Sequence, residues 1–499
     1  MYISNIKLWN FRKFGTHSKF DINKPNINLD LNHGLNVLIG ENDSGKSSLV
    51  DAIKLTLRTH SFEWVRVEDK DFYNETTRFR IEIIFEGLTP EEAKNFTEWL
   101  GWTGSGVDAK PYLKTILDVK RNNEVILPFE IRAGVDSEGY VMTSEAREYL
   151  KSTYLRPLRD AESELVAKKN SRLSQILIGD SAFKGKERTH ELVNIFNNFS
   201  EDLKKYFKGE FELLPEGGGE PHRPEAGKKI KDKIDGHIKS FYSEEEESEF
   251  LATRSNIKPI LEKLTLTLKD EENPGLGTLN RLFMAAELLH LGKDSWTGLR
   301  LGLIEELEAH LHPQAQMQII EALQNQDEIQ LILTTHSPNL ASKVKLENLI
   351  ICNDNQAFPM GGEYTKLAEG DYKFLERFLD TTKANLFFAK GILLVEGWAE
   401  ELLIPAIAKK MGYNLTKQGV SVVNVASTAF LRYSKIFLRS QANVPQMKVP
   451  VAIITDLDIK PEEETIIKSG QTKKEATIKK GRKIMMTETL NHSFPLIGH

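Results

Sequence analysis

The sequence predicts an α/β chain in which one mixed domain is interrupted by a helical block and followed by a second βαβ domain. Three observations carry this. Apolar strands alternate with amphipathic helices toward both ends of the 499 residues, a pattern that builds sheets with helices on their faces. "LIGENDSGKSS" (38–48) sits between a short apolar strand and a helix, and "GILLVEG" opens a fresh strand–helix–strand series late in the chain.

Residues 1 to about 90 read as strands and turns. "YISNIKLWNF" and "RFRIEIIFEGL" alternate, "GLNVLIG" is a buried strand, and "KSSLVDAIKLTL" has helical spacing. From "TSEAREYLKSTYLRPLRDAESEL" to about Thr253 the pattern is charged and helical, broken by "PEGGGEPHRPEAG", which cannot continue a helix. "SEEEESE" (243–249) reads as a solvated helix face. "LGLIEE" and "IQLILTTH" are then buried strands flanking the helix "PQAQMQIIEALQNQ". "AEELLIPAIAKKMG", "VSVVNVAS" and "VPVAIITDLD" continue the last series. The expected divisions are 1–160 and 254–385 for the two parts of the first domain, 161–253 for the helical insertion, and 386–499 for the final domain.

Composition narrows the class. Hydrophobic residues at 40% and charged residues at 28% fit a globular protein with sizeable cores. With 66 Lys and Arg against 72 Asp and Glu, the net charge of -6 supplies no overall attraction to nucleic acid, so a DNA surface must be local. Cys352 is the only cysteine, which excludes intramolecular disulfides and multi-cysteine metal sites. No run approaches the ~18 apolar residues of a membrane span, and "MYISNIKLWNFRKFG" is not patterned as a signal or transit peptide. The expectation is a cytoplasmic protein with no membrane partner.

Gly40, Gly45, Lys46 and Ser47 match G-x-x-x-x-G-K-[ST]. Glycines let backbone amides turn onto phosphates, Lys46 reaches the terminal phosphates, and the Ser47 hydroxyl can ligate magnesium. Asn42 within the loop and Ser48 after it complete the candidate ATP contacts. Glu305 and Glu306 end a buried strand, where α/β ligand sites form. Glu305 is expected to hold the magnesium and Glu306 to orient or deprotonate the attacking water. His336, at the tip of "TTHSP", is a candidate sensor of the γ-phosphate.

A second constellation lies further on. Glu396 ends an apolar strand, Glu400 follows one helical turn later, and Asp456 and Asp458 end another strand on one face. Such carboxylates repel one another unless cations intervene, and hard oxygen ligands suit Mg2+ or Mn2+. Two such ions can activate water against a phosphodiester. Taken alone, Glu396 and Glu400 equally fit the start of an ordinary surface helix, and Asp456 and Asp458 an ordinary acidic turn. "KSGQTKKEATIKKGRK" concentrates positive charge nearby, as a phosphate contact or as a solvated loop.

The opening "ISNIKLWNFRKFG", the phosphate loop, "EELEAHLHP" and "TTHSP" resemble, in that order, the ATP-binding-cassette heads of RecF and SMC type. The resemblance implies a head-to-head pair closed by a signature loop. The matching position, "NPGLGTLNRLFMAAEL" with Gly275 and Gly277, departs from the usual Ser-Gly-Gly. "LLVEGWAEELLIP" with "AIITDLDIK" resembles the Toprim domain, a Rossmann-like metal-binding fold. An ATPase head followed by Toprim resembles the OLD (overcoming lysogenization defect) nucleases, as does "YLRPLRDAESEL". Members of that family continue past the Asp-x-Asp with further acidic, Ser and Lys residues, so 386–499 is expected to hold the domain in whole or in part.

That resemblance implies a DNA endonuclease whose metal ligands are Glu396, Glu400, Asp456 and Asp458. It also implies dimers or larger homo-oligomers formed through the ATPase region and its insertion. Relatives act in anti-phage defence, some with a partner helicase, others with a reverse transcriptase and its DNA product. The alternative is a DNA-repair or structural ATPase whose Toprim-like region binds DNA or a partner without cutting.

Overall fold

The computed structural model describes residues 1–60, 65–156, 164–213, 222–241, 247–250, 256–271, 274–292, 298–326, 328–426, 429–441, 445–455, 462–468 and 471–477. The chain divides into two compact units, Met1–Pro157 with Thr297–His499, and Leu158–Trp296.

The first unit begins with β1 (Tyr2–Trp9), β2 (Ile27–Asp30) and β3 (Leu35–Ile39), the last leading through the glycine loop into helix α1 (Lys46–Leu57). Then come β4 (Arg78–Glu86), β5 (Leu100–Thr103), β6 (Lys110–Asn122), β7 (Val125–Ile126), β8 (Ile131–Ala133), β9 (Tyr140–Val141) and β10 (Thr153–Leu155). The chain re-enters with β11 (Leu301–Ile304), β12 (Gln330–Thr335), β13 (Leu349–Asn353) and β14 (Gln356–Pro359). β15 (Gly391–Val395), β16 (Val420–Asn424) and β17 (Val451–Ile454) follow, and Glu462–Lys468 pairs with Gln471–Thr477 as an antiparallel hairpin within the basic stretch.

One sheet is antiparallel, in the order β2-β1-β4-β6-β8-β9, with β5 and β7 added on β6. The other runs β10-β11-β12-β3-β13-β14, parallel except for its last pair. Every residue of β3, β11 and β12 is buried, which is why these segments read as unbroken apolar runs rather than alternations. α1 packs Leu49, Val50, Ile53 and Leu57 into one core with Ile81 and Ile83 of β4 and with Leu38 and Ile332 of the parallel sheet. The two sheets therefore share a core around the helix that follows the glycine loop.

β4 departs from a half-exposed strand. Its polar positions Arg80 and Glu82 are 2% and 7% exposed. Arg80 donates to Glu82 at 2.6 and 2.8 Å and to Asp118 at 2.8 Å, so the charges are matched inside the fold. Burial alone would raise the Asp118 carboxyl; Arg78 and Arg80 reverse that and hold it below the usual range.

The second unit is helical, with Arg172–Ile178, Glu191–Lys208, Ala226–Phe241, Ile257–Leu261 and Leu276–Leu291 among its elements. Val193, Ile257, Ile260 and Leu261 form a small core, and Arg172 grips Glu287 with two hydrogen bonds of 2.6 and 2.8 Å. Helix Leu276–Leu291, with Gly275 at its N-cap and Gly277 in its first turn, lies in this unit. The acidic run is not a helix face where it is described: the preceding helix ends at Phe241, residues 247–249 have no regular structure, and residues 243–246 lie outside the described residues.

β16-β15-β17 is a separate parallel sheet within the first unit. Among the described residues no helix is long and apolar enough to cross a membrane. Phe14, 1% exposed, supports the glycine loop, because a Cβ on Gly45 would stand 2.4 Å from its ring. Phe14→Ala is expected to cost about 3–5 kcal/mol, read as a lower midpoint of urea unfolding.

Candidate active sites at two sheet edges

β11, β12 and β3 are parallel neighbours, so the residues leaving their C-terminal ends gather along one edge. From β3 comes the loop with Gly40 at φ 143° and Gly45 at φ 104°, left-handed conformations that favour glycine. Space demands glycine as well, since a Cβ on Gly40 would lie 2.3 Å from the Cys352 carbonyl oxygen. Asn42 is exposed on this loop, Ser47 is exposed in the first turn of α1, and Ser48 is buried there. No side chain caps the helix.

Lys46 is 5% exposed. Its Nζ donates to the carbonyls of Gly40 at 2.9 Å and Glu41 at 2.7 Å, and to Ser44 Oγ at 3.3 Å. Burial pushes the ammonium below its ordinary pKa, against the pull of groups that include Glu308 and Glu306. Cys352 beside it is fully buried, which drives its thiol up to about 12 and keeps it protonated and unreactive.

Glu305, 5% exposed, ends β11. Its carboxylate is hydrogen-bonded by the Ser47 hydroxyl, and by Tyr154 Oη at 2.9 Å. Burial raises its carboxyl above the usual range, with Ser47 and Tyr154 offsetting part of the rise. Ser47 and Glu305 thus already adjoin, as a shared magnesium ion would require. Glu306 follows at φ 46°, its amide held by Thr334 Oγ1 at 3.0 Å. That uncommon backbone conformation sets its carboxylate apart from that of Glu305. His336 Nδ1 lies 3.2 Å from the Gly40 carbonyl, placing the ring against the glycine loop.

Glu308, Thr334, Tyr154 and Thr455 escaped sequence reasoning. Glu308 Oε1 accepts the His336 amide at 2.5 Å, while its Oε2 is buried without a hydrogen-bond partner among the described residues. The signal available was its spacing, two residues after Glu306 and three after Glu305. Arg12, in the opening "FRKFG", is ion-paired with Asp51 on α1 and with Asp71 at 2.9 Å, fixing that turn against the helix.

The second site forms at the equivalent edge of the small sheet. β15 and β17 pair in parallel with Val395 opposite Ile454, so Glu396 and Thr455 emerge side by side. Thr455 Oγ1 donates to Glu396 Oε2 at 2.6 Å. Asp456 and Asp458, immediately beyond, lie outside the described residues. Glu400 is one turn into helix Trp398–Lys410, and its Oε2 accepts the Gly397 amide at 3.0 Å, so one of its oxygens serves the helix cap. Glu401 takes a 3.1 Å hydrogen bond from Asn424, the last residue of β16. Among the described residues no group of three or more His, Cys, Asp or Glu is placed to hold a metal ion. Of the four acidic residues singled out from sequence, the structure brings Glu396 and Glu400 to this edge and describes neither aspartate. Gly275 and Gly277 are in the other unit.

Residues 35–342 match the AAA-domain family described with the AbiEii toxin of type IV TA systems. Residues 387–458 match the TOPRIM domain of overcoming lysogenization defect protein-like proteins. Endonuclease GajA of Bacillus cereus (strain HuB5-5) is 22% identical over 93% of this chain and 78% of its own length. The OLD nuclease of Thermus scotoductus (strain ATCC 700910 / SA-01) is 24% identical over 35% of this chain and 34% of its own. Among solved structures, an Smc head bound to the C-winged helix domain of ScpA aligns with a TM-score of 0.39 at 15% identity, covering 72% of this chain and 96% of that one.

Because Lys46 brings the buried positive charge to the glycine loop, Lys46→Ala is expected to weaken ATP binding at least about 10-fold. Calorimetric titration measures this, with an unchanged melting temperature as the control for folding.

Proposed function

The chain belongs to the AAA-domain family described with the AbiEii toxin of type IV TA systems, and from that premise we propose that it is an ATP-hydrolysing, divalent-metal-dependent DNA endonuclease of OLD type. The observation that carries the nuclease reading is the parallel pairing that sets Glu396 against Thr455, the residue before Asp456. A role in cytoplasmic anti-phage defence, as a homodimer or larger assembly with or without a partner protein, belongs to the same reading.

At the first edge, Lys46 would exchange backbone carbonyls for the phosphate oxygens of ATP, and Ser47 with Glu305 would hold its magnesium. Glu306 orients and deprotonates the attacking water. His336, held through its amide by Glu308 and resting on Gly40, meets the γ-phosphate.

At the second edge, Glu396 with Asp456 and Asp458 would hold Mg2+ or Mn2+, which when bound polarises the phosphodiester and lowers the pKa of water. Thr455 donates to one oxygen of Glu396 and fixes its orientation, leaving the other oxygen for a cation. Glu400 supports the site through the Gly397 cap that starts the helix.

The test is cleavage of supercoiled plasmid with Mg2+ or Mn2+, with and without ATP. Glu396→Ala is expected to abolish nicking and linearisation while ATP hydrolysis continues at the wild-type rate. Glu306→Gln is expected to slow ATP hydrolysis by about 10²–10⁴-fold while ATP still binds. Plasmid cleavage that survives Glu396→Ala refutes the assignment of the cutting site. ATP hydrolysis by a wild type that never cuts DNA supports a non-cutting DNA-repair or scaffold ATPase instead.

A further inference from the structure

A cavity of about 870 Å³, which shares no lining residue with either edge, is lined by Arg58, Arg66, Arg147 and Lys151, with Glu130 and Phe129 among its other walls. Arg58 directly follows α1, whose first residue is Lys46. At 1.5 Å per residue the helix is about 18 Å long, so this cavity and the glycine loop occupy opposite ends of it.

Among the described residues, four cations against one carboxylate is an uneven lining for a chain of net charge -6. Two of the four are matched locally, Lys151 by Glu148 at 2.7 Å and Arg66 by Glu68 at 3.5 Å. Arg58 and Arg147 have neither an ion pair nor a side-chain hydrogen bond among the described residues. Two enclosed guanidiniums elsewhere are matched by carboxylates, Arg80 by Glu82 and Asp118 and Arg172 by Glu287, whereas buried Arg439 has no ion pair among the described residues and donates to the Pro359 carbonyl. Arg147 is half-buried; its burial pushes its pKa down, the like charge of Arg58 adds to that, and Glu148 offsets part of it.

Backbone conformation adds a second observation. Arg58 has φ 63° and ψ -179°, a region populated almost entirely by glycine. An arginine held there gives up backbone comfort for a side chain at this position. Phe129, 40% exposed, offers an aromatic surface in the same wall.

We propose that Arg58 and Arg147 form a second phosphate-binding site, separate from the glycine loop, that takes the phosphodiester backbone of DNA. Two adjacent guanidiniums supply planar donors for phosphate oxygens, and an anion between them relieves their repulsion. The choice of DNA over a free nucleotide rests on the proposed nuclease reading; the phosphate chemistry is common to both.

The test uses the full chain in EDTA, which prevents cleavage, and follows the anisotropy of a labelled DNA duplex across a salt series. Arg58→Gln with Arg147→Gln is expected to weaken binding about 10-fold or more at low salt. It should also flatten the slope of log affinity against log salt by about 1.8, the contribution of two phosphate contacts. Arg58→Lys with Arg147→Lys keeps the charge and should retain most of that slope. DNA-free ATP hydrolysis and the melting temperature stay at wild-type values in both. A second arm measures ATP binding in a Lys46→Ala background, where loss of residual binding on adding the Gln pair assigns the site to free nucleotide and overturns the DNA assignment. Unchanged DNA and ATP binding in the Gln pair overturns the phosphate site altogether. A wild type that binds no duplex contradicts both the DNA-substrate reading and the DNA assignment, and the ATP arm then decides the phosphate site.

Discussion

Parallel strand pairing is the constraint on which both candidate sites depend. In a parallel pair the chain leaves both strands at the same edge, so the order β11-β12-β3 delivers Glu305 and Glu306, His336 and the glycine loop to one place. β16-β15-β17 does the same for Asn424, Glu396 and Thr455. Each site is assembled from segments far apart in sequence: Ser47 meets Glu305, and Glu396 meets Thr455. An antiparallel neighbour at either position would send one of those segments to the opposite edge.

Burial gives this arrangement its chemistry. Lys46 and Glu305 are each 5% exposed, where an unmatched charge is costly. Both are therefore held by backbone carbonyls or hydroxyls that a ligand can displace. Glu308, whose buried Oε2 has no hydrogen bond among the described residues, is one of the groups that counter the effect of burial on the ammonium. Communication between the two edges is a different matter. Lys390, just before β15, reaches Glu41 of the glycine loop at 3.8 Å, with the two side chains 66% and 40% exposed. An exposed pair of that kind contributes about 0–1 kcal/mol, too little by itself to make cleavage obey ATP.

The parts of the fold legible in the sequence are those encoded within a few residues of one another. The glycine loop, the paired glutamates, the strand ending at His336 and the late βαβ series all carry their signal in a single window. Phe14 under Gly45, Tyr154 on Glu305, and Glu308 on the His336 amide are contacts made across the fold, and no spacing rule announces them. β4 shows the same limit from another side. Its alternation is legible, but the partners that enclose Arg80, Asp118 on β6 and the Ser137 carbonyl besides Glu82, are not. Glu400 was legible in a further sense: three residues after Gly397 at a helix start is a capping position, as well as a candidate ligand position.

The central claim is that two strand edges bind divalent cations independently, one only with nucleotide and one without it. Titration of the full chain with Mn2+, followed by electron paramagnetic resonance with and without ATP, tests it most directly. The account predicts ATP-independent sites that disappear in Glu396→Ala and an additional ATP-dependent site that persists in that variant. ATP-independent Mn2+ binding undiminished by Glu396→Ala would contradict it.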